Sequence, residues 1–178
     1  MDLVLLKPGS VELAGTGSID GEQMEVGDDL AGCLELVSIH FGMRQQVITG
    51  ASNSGSSTDR PVLQDITAIK YVDERSPLLY KHCLTTIPID DGETPTQIFL
   101  CRNDNSVLRK FMTIKLWNCQ ITSVDVQSHP NDMATEQITL SFTSIEWSTS
   151  CKDSRATTSG GVAFSWESER GVVEACQS

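Results

Sequence analysis

The chain has 178 residues, of which 39% are hydrophobic and 21% charged, and its formal net charge is −11 at neutral pH. This length fits one domain of ordinary size with a sizeable core. The excess of 24 acidic over 13 basic residues repels a phosphate backbone, so nucleic-acid binding is not expected. No segment approaches the roughly 20 apolar residues that span a bilayer, so membrane insertion is not expected either.

The chain opens with a predicted short strand over residues 3–6. Asp2 before it is acidic, and the segment lacks a cationic start and a long apolar core, so no cleaved signal peptide is expected. Any export must then use a route that needs no leader. Residues 15–22 are a predicted turn-rich loop whose glycine spacing is not that of a dinucleotide fold. The acidic residues up to position 31 match no EF-hand spacing, and they predict a solvated acidic face.

An alternating segment over residues 33–43 predicts the next strand. The apolar residues of its expected core face are Cys33, Val37, Ile39, Phe41 and Met43. A polar loop over residues 50–59 follows. It has no hydrophobic anchor beyond Ala51, so it is expected to be mobile in an isolated subunit.

Residues 60–83 contain the clearest strand and the one convincing helix. The first half is rich in Val, Ile, Thr and Tyr, which favours a strand, and Pro61 stands at its start, where a missing N–H costs little. Ser76 is the predicted N-cap of the helix. Pro77 suits the first helical position because its φ is already helical.

At about 100° per residue, this helix presents one apolar stripe. The predicted stripe consists of Leu79, Tyr80, Cys83 and Leu84, with Lys81 and His82 outside it. Leu78 lies nearly opposite the centre of the stripe and is expected to face outward. It either packs on a neighbouring copy of the chain or is a lone exposed leucine.

The second half of the chain alternates between turns and strands. A phase change near residues 118–120 predicts either a strand covered on both faces or a bulge that switches faces. The cleanest alternation places Ile138, Leu140 and Phe142 in the core. The predicted elements are an acidic turn over 88–95, strands over 96–102, 111–126, 136–148 and 161–166, and a weakly held tail over 167–178.

Together these elements predict a mainly β fold, an antiparallel β-barrel of two packed sheets with one short α-helix on its side. Residues 1–166 are expected to form a single domain, with residues 167–178 as a C-terminal tail.

No arrangement of side chains predicts catalysis or ligand binding. The six cysteines form no C-x-x-C pair, so buried reduced thiols are expected, with Cys151 and Cys176 more exposed. The three histidines have no metal-ligand spacing, and Cys83 points about 100° away from His82 on a helix. The carboxylates in residues 90–93 lie in a turn that implies no cleft. No enzyme activity, cofactor or metal is therefore expected.

Three short motifs resemble the signature of the Hcp family, the tube protein of bacterial type VI secretion. They are Pro61-x-x-Gln64-Asp65, then Lys70-Tyr71-x-Asp73, then Ser76-Pro77-Leu78-Leu79. The similarity runs from about residue 19 to residue 166. It weakens at residues 18–23, where the family's basic residue and serine are missing, and about ten residues before this segment look like an insertion.

The resemblance implies a homohexameric ring, and rings that stack into the inner tube of a contractile secretion machine. The implied partners are other copies of the chain, a spike protein at the tube tip, a contractile sheath, and secreted effectors in the lumen. The implied location is the bacterial cytoplasm and, after secretion, the extracellular space or a target cell, as expected of a virulence-associated protein. The residues expected at contacts between copies are Gly50, Ser54, Gly55, Asp59, Arg60, Leu78, Lys81 and His82.

Two alternatives remain open. A phage-like tail-tube protein would share the same architecture, and the absence of a sheath-and-spike gene cluster would favour it. A monomeric secreted effector or hydrolase would differ in mass, because it would run as a single 19.4 kDa species.

Overall fold

We describe the protein from a computed structural model. The structure describes residues 2–14, 23–24, 32–45, 47–48, 57–58, 61–104, 107–151, 160–167 and 173–176. The helices are α1 (Val11–Ala14) and α2 (Ser76–Thr85). The strands are β1 (Asp2–Lys7), β2 (Gln23–Met24), β3 (Leu34–Leu36), β4 (Ser38–His40), β5 (Met43–Arg44), β6 (Val47–Ile48), β7 (Ser57–Thr58), β8 (Val62–Leu63), β9 (Ile66–Tyr71), β10 (Thr96–Asp104), β11 (Val107–Trp117), β12 (Gln120–Gln127), β13 (Thr135–Ser141), β14 (Ser144–Cys151), β15 (Gly160–Glu167) and β16 (Val173–Cys176).

Two sheets carry the fold. The large sheet has the order β16-β15-β14-β11-β10-β1-β3, and β2 adds to β11 in parallel. The smaller sheet has the order β12-β13-β9-β4, and every pair in it is antiparallel. The predicted fold, mainly antiparallel β with two packed sheets and a helix on the side, is confirmed. The short helix α1 is an addition that the sequence did not predict.

Short corners carry the chain from one sheet to the other. Asn118 lies between β11 and β12 with φ of 50°, which is the left-handed region that asparagine tolerates better than most residues. This corner explains the predicted phase change, because the two strands belong to different sheets. A second corner follows Phe142, where the backbone N–H of Thr143 donates to the carbonyl of Trp117 at 3.1 Å. The single strand predicted over residues 136–148 is therefore two strands.

The face predicted for residues 33–43 is wrong at Val37 and at Met43, which is 63% exposed, whereas Cys33 is buried as expected. Leu34 and Leu36 are buried, whereas Glu35 between them and Val37 after them are exposed. The reason is a bend at Val37, where the chain leaves the large sheet at the end of β3 and enters the smaller one at β4. Ile39, beyond the bend, packs against the main core as expected.

The main core fills the space between the two sheets. It consists of Leu6, Leu13, Leu34, Leu36, Ile66, Ala68, Leu79, Ile89, Ile98, Ile114, Leu116, Cys119, Ile121, Ile138, Leu140, Ile145 and Trp147. A second cluster comprises Leu5, Cys33, Phe99, Cys101 and Leu108. Because Leu5 and Leu6 are both fully buried on one strand, β1 is covered on both faces.

Four cysteines of the described residues, Cys33, Cys83, Cys101 and Cys119, carry reduced thiols. All but Cys83 are buried, in line with the sequence prediction. Burial raises the pKa of the Cys119 thiol far above its ordinary value, and the nearby Asp90 carboxylate adds to the effect. Cys119 is therefore protonated at neutral pH. The side chains of Cys151 and Cys176 lie outside the described part.

The C-terminal segment is attached to the large sheet. The predicted last strand is confirmed as β15, and the Trp147 and Phe164 rings stack across the β14–β15 pair with centroids 4.8 Å apart. Beyond β15, β16 pairs with it from Trp166–Val173 to Ala163–Cys176. Part of the segment expected to be a weakly held tail thus has a strand partner.

Among the described residues, no helix is long and apolar enough to cross a membrane.

Candidate assembly surface and the polar network that positions it

A buried ion pair lies beneath helix α2. The register of β9 and β13 places Lys70 directly opposite Glu136, and the Lys70 ammonium donates to Glu136 Oε1 at 2.8 Å. Lys70 also donates to the carbonyl of Tyr71 at 2.7 Å and lies 3.1 Å from Asp73 Oδ1. Both charges are removed from water, so these partners replace the lost hydration.

The same carboxylate holds two side chains of α2. Ser76 Oγ donates to Glu136 Oε1 at 2.8 Å, and the Tyr80 hydroxyl donates to Glu136 Oε2 at 2.7 Å. Desolvation raises the pKa of Tyr80, and the hydrogen bond to Glu136 adds to this shift, so the phenol stays protonated at neutral pH. Glu136 therefore fastens the first two turns of the helix to the sheet.

The predicted N-cap is wrong by one residue. Arg75 is the N-cap and makes no side-chain capping bond, while Ser76 is the first helical residue. The Ser76 hydroxyl instead accepts from the backbone N–H of Asp73 at 3.0 Å and reaches inward to Glu136. The hydrogen bond from Ser76 to Glu136 in the buried network takes the place of a capping hydrogen bond.

Arg75 ties the start of the helix to the large sheet. Its guanidinium donates to the carbonyls of Gly32 at 3.1 Å and Cys33 at 2.8 Å, directly before β3. The residues of the Lys-Tyr-x-Asp and Ser-Pro motifs thus lie at the junction of both sheets with α2. Lys70, Ser76 and Leu79 of these motifs are buried and hold the fold together, whereas Tyr71, Asp73 and Pro77 are exposed.

The orientation of α2 about its axis differs from the prediction. Ser76, Leu79 and His82 are buried, Leu78 is half-buried against the main core, and Leu84 is among the most exposed residues of the chain. Counted at 100° per residue, the buried face is rotated by about 70° from the predicted stripe. Ser76 and His82 cause this difference, because their hydrogen bonds allow both polar side chains to be buried.

His82, expected outside the stripe, is one of these residues. Its Nδ1 lies 3.1 Å from the carbonyl of Ile87, so Nδ1 carries a proton and donates it to this carbonyl. Its Nε2 lies 3.8 Å from Glu12 Oε2 on α1. The exposed Lys81 donates to the other oxygen of Glu12, and this hydrogen bond holds the pKa of the Glu12 carboxyl below its usual range. Glu12 thus connects the two helices.

The four short strands β5, β6, β7 and β8 form two antiparallel pairs, called the arm below. β5 pairs with β8 and β6 pairs with β7, so the four short strands are partners of one another. Ser57 and Thr58, expected in the polar loop, belong to this ladder. The predicted assembly residues Gly50, Ser54, Gly55, Asp59 and Arg60 lie outside the described residues.

The carboxylates of the acidic turn accept hydrogen bonds from backbone N–H groups. Asp90 accepts from the backbone N–H of Gly92 and Cys119, and Asp91 accepts from those of Glu93 and Thr94. These bonds lower the pKa of Asp91. In the described part of the chain, no group of three or more His, Cys, Asp or Glu side chains could hold a metal ion.

The fold and this surface define a small β-rich domain. Its helix α2 is hydrogen-bonded to the smaller sheet, and the strands of its arm pair with one another. The sequence model of the family described as "Type VI secretion system effector, Hcp" matches residues 11–148. No curated protein matches the chain. The chain therefore belongs to the Hcp family, as its three motifs predicted, and is a structural component of a type VI secretion system. Its family membership makes it a secreted, self-assembling protein.

Solved structures agree in fold. A structure described as a type six secretion system protein is 13% identical, with a TM-score of 0.76, and the match covers 98% of this chain and 100% of that one. Hcp1 from Salmonella typhimurium is 15% identical, with a TM-score of 0.62 and coverage of 97% and 99%. The secreted protein Hcp3 from Pseudomonas aeruginosa is 14% identical, with a TM-score of 0.53 and coverage of 90% and 97%. At these identities the likeness shows the fold.

The sequence interpretation missed two residues of this surface, Glu136 in the buried network and the exposed Leu84 at the end of α2. Glu136 had a detectable signal, because it shares the inward phase of Ile138 and Leu140, and a carboxylate on a core face requires a buried partner. Leu84 had no such signal, since its exposure follows from the burial of Ser76 and His82.

Proposed function

We propose that this chain is the tube subunit of the secretion system, with six copies closing into a ring and rings stacking into the inner tube. The observation that carries the proposal is the family match over residues 11–148, which includes the smaller sheet, α2, the arm, and strands β3, β10 and β11 of the large sheet. Closure of a ring by one kind of chain needs a heterologous contact, in which two different surfaces of the subunit meet.

The arm supports a contact between copies. A two-stranded ribbon is marginally stable by itself in water, and packing against another surface would stabilise it. The predicted contacts of Gly50, Ser54, Gly55, Asp59 and Arg60 with a neighbouring ring belong to this proposal.

The helix residues have different parts in the proposal. Lys81 is exposed and can reach a neighbouring copy directly, while Leu78 contributes only its exposed part. His82 is buried and would act by positioning the end of α2 through Ile87 and Glu12.

The tube works as a conduit and needs no chemistry of its own. Its partners are a spike protein at the tip, a contractile sheath outside, and effectors inside the lumen, and it is secreted from the bacterial cytoplasm. We propose no catalytic activity and no cofactor. Residues 1–166 serve as the single domain of the ring, to which residues 167–178 add a C-terminal segment that includes β16.

Negative-stain imaging of the purified protein tests this function. The proposal predicts annular particles with a stain-filled centre and, at high protein concentration, short stacks of them. Fields of small, solid particles without a central hole would contradict it and would favour a monomeric effector.

A further inference from the structure

The two helices leave an apolar area on the surface. Leu84 at the end of α2 is 85% exposed, Val11 on α1 is 84% exposed, and Ile87 is 47% exposed. The ion pair between Glu12 and Lys81 joins the two helices, so these aliphatic side chains lie on neighbouring elements. We call Leu84, Val11 and Ile87 the helix patch.

A second apolar area lies around one end of the smaller sheet. It consists of Tyr71, Val72, Val126 and Met133, all exposed, with Met133 at 65%. Tyr71 is opposite Thr135, the backbone N–H of Val72 donates to the carbonyl of Ala134 at 2.9 Å, and Val126 is opposite Glu136. These pairings bring the four residues to one end of the sheet, with Val126 on the face of Lys70 and Glu136 and Tyr71 on the opposite face, and we call this end, taken over both faces, the rim patch.

The two patches lie at opposite ends of β12. The chain that follows α2 is hydrogen-bonded to the residue before β12, since Ile89 N–H donates to the carbonyl of Cys119 at 2.8 Å. Ser10, next to α1, donates in turn to the carbonyl of Ile89 at 2.9 Å. The helix patch is therefore at the start of β12 and the rim patch at its end, about 25 Å away along eight residues of strand.

We propose that the helix patch of one copy packs on the rim patch of the next copy in the ring. The proposal rests on the proposed function, because a ring of identical chains requires two unlike surfaces on every subunit. Both surfaces are apolar, so their association removes hydrophobic area from water.

The areas suit a stable contact. Each patch exposes on the order of 300–400 Å² of side chain, in the range where apolar surface patches are often functional. Together they supply most of the apolar share of an interface of about 1,200 Å², the lower limit for a stable complex.

Three single variants and one mixture test the pairing by sedimentation. Leu84→Asp removes the helix patch, Met133→Asp removes the rim patch, and Val162→Asp on β15, a residue that is 75% exposed, places the same charge outside both. Ring association is expected to weaken about tenfold or more in the first two variants, as at interface hot spots, and to stay unchanged in the third.

A 1:1 mixture of the first two is expected to form a dimer, because one intact patch remains on each partner. Two copies of a 19.4 kDa chain give about 39 kDa.

Intact rings in Leu84→Asp or Met133→Asp, or a mixture that stays monomeric, would overturn the pairing. Both changes are on the surface, and unchanged circular dichroism and thermal unfolding of the monomers establish that they fold. Wild-type protein in the same run distinguishes a failure of this contact from a failure of the proposed tube. Wild-type rings with unaffected variants reject only this contact, whereas a wild-type monomer rejects the tube itself.

Discussion

At the scale of single residues, the pairing of Lys70 with Glu136 is the main reason that helix α2 stays in place. Each is almost completely buried, and each would be costly to bury alone. Their pairing across β9 and β13 and the bonds from Ser76 and Tyr80 leave neither charge without partners. A change of one partner should therefore cost more than a change of both.

A double-mutant cycle tests this network. Lys70→Met leaves the Glu136 carboxylate buried without its cation, and the free energy of unfolding is expected to fall by about 3–5 kcal/mol. Lys70→Met combined with Glu136→Leu is expected to recover most of that loss, because an apolar pair needs no hydration. Urea denaturation measures both. Lys81→Met, at an exposed ion pair, is the control and should cost less than about 1 kcal/mol.

A Lys70→Met variant no less stable than this control would contradict the network's role. The sequence motifs identified only one side of the network. The motifs drew attention to Lys70, Asp73 and Ser76, but their partner Glu136 is 66 residues away from Lys70. Such a pairing depends on the register of two strands, which local sequence does not determine.

At the scale of elements, local signals predicted where strands and helices lie better than which way they face. The helix was located correctly from its Ser-Pro start, but its rotation was wrong because Ser76 and His82 are buried through hydrogen bonds. The corner at Asn118 was recognised as a phase change, whereas those at Val37 and Phe142 were missed. At Val37 the alternation of apolar residues continues while the chain changes sheets. At Phe142 the apolar positions change from even numbers to the odd numbers of Ile145 and Trp147, a signal that the sequence interpretation did not use.

The end of α2 offers a stabilising substitution. Thr86 terminates the helix with φ of 54°, a left-handed conformation that is strained for a β-branched residue and natural for glycine. Thr86→Gly is therefore expected to raise the free energy of unfolding by about 1 kcal/mol. Thr85→Gly, one residue earlier and still helical, should lower it by a few tenths of a kcal/mol. Thermal denaturation compares the two, and a destabilised Thr86→Gly variant would be the contrary result.

At the scale of the whole molecule, net charge and burial act in opposite directions. Six subunits at −11 each give a ring of −66 formal charges, so rings repel one another while apolar contacts hold each ring closed. Length, charge and the three motifs were enough to predict the fold class and the family. The second core cluster on the other face of β1 was not predicted, because strand alternation alone does not reveal a strand covered on both sides.

Salt should therefore favour stacking of rings. The Debye length falls from about 10 Å at 0.1 M to about 3 Å at 1 M salt, which screens the repulsion between neighbouring rings. Light scattering at fixed protein concentration is expected to show longer stacks at 1 M salt, with the mass of the single ring unchanged. Stacks that shorten as salt rises would show that attraction between charges holds the rings together.

Sedimentation of the wild-type chain over a wide range of concentrations tests closure most directly. A hexamer of a 19.4 kDa chain has a mass of about 116 kDa, and one discrete species of that mass, stable to dilution, is the predicted result. A single 19.4 kDa species that persists at the highest concentrations reached would contradict the account.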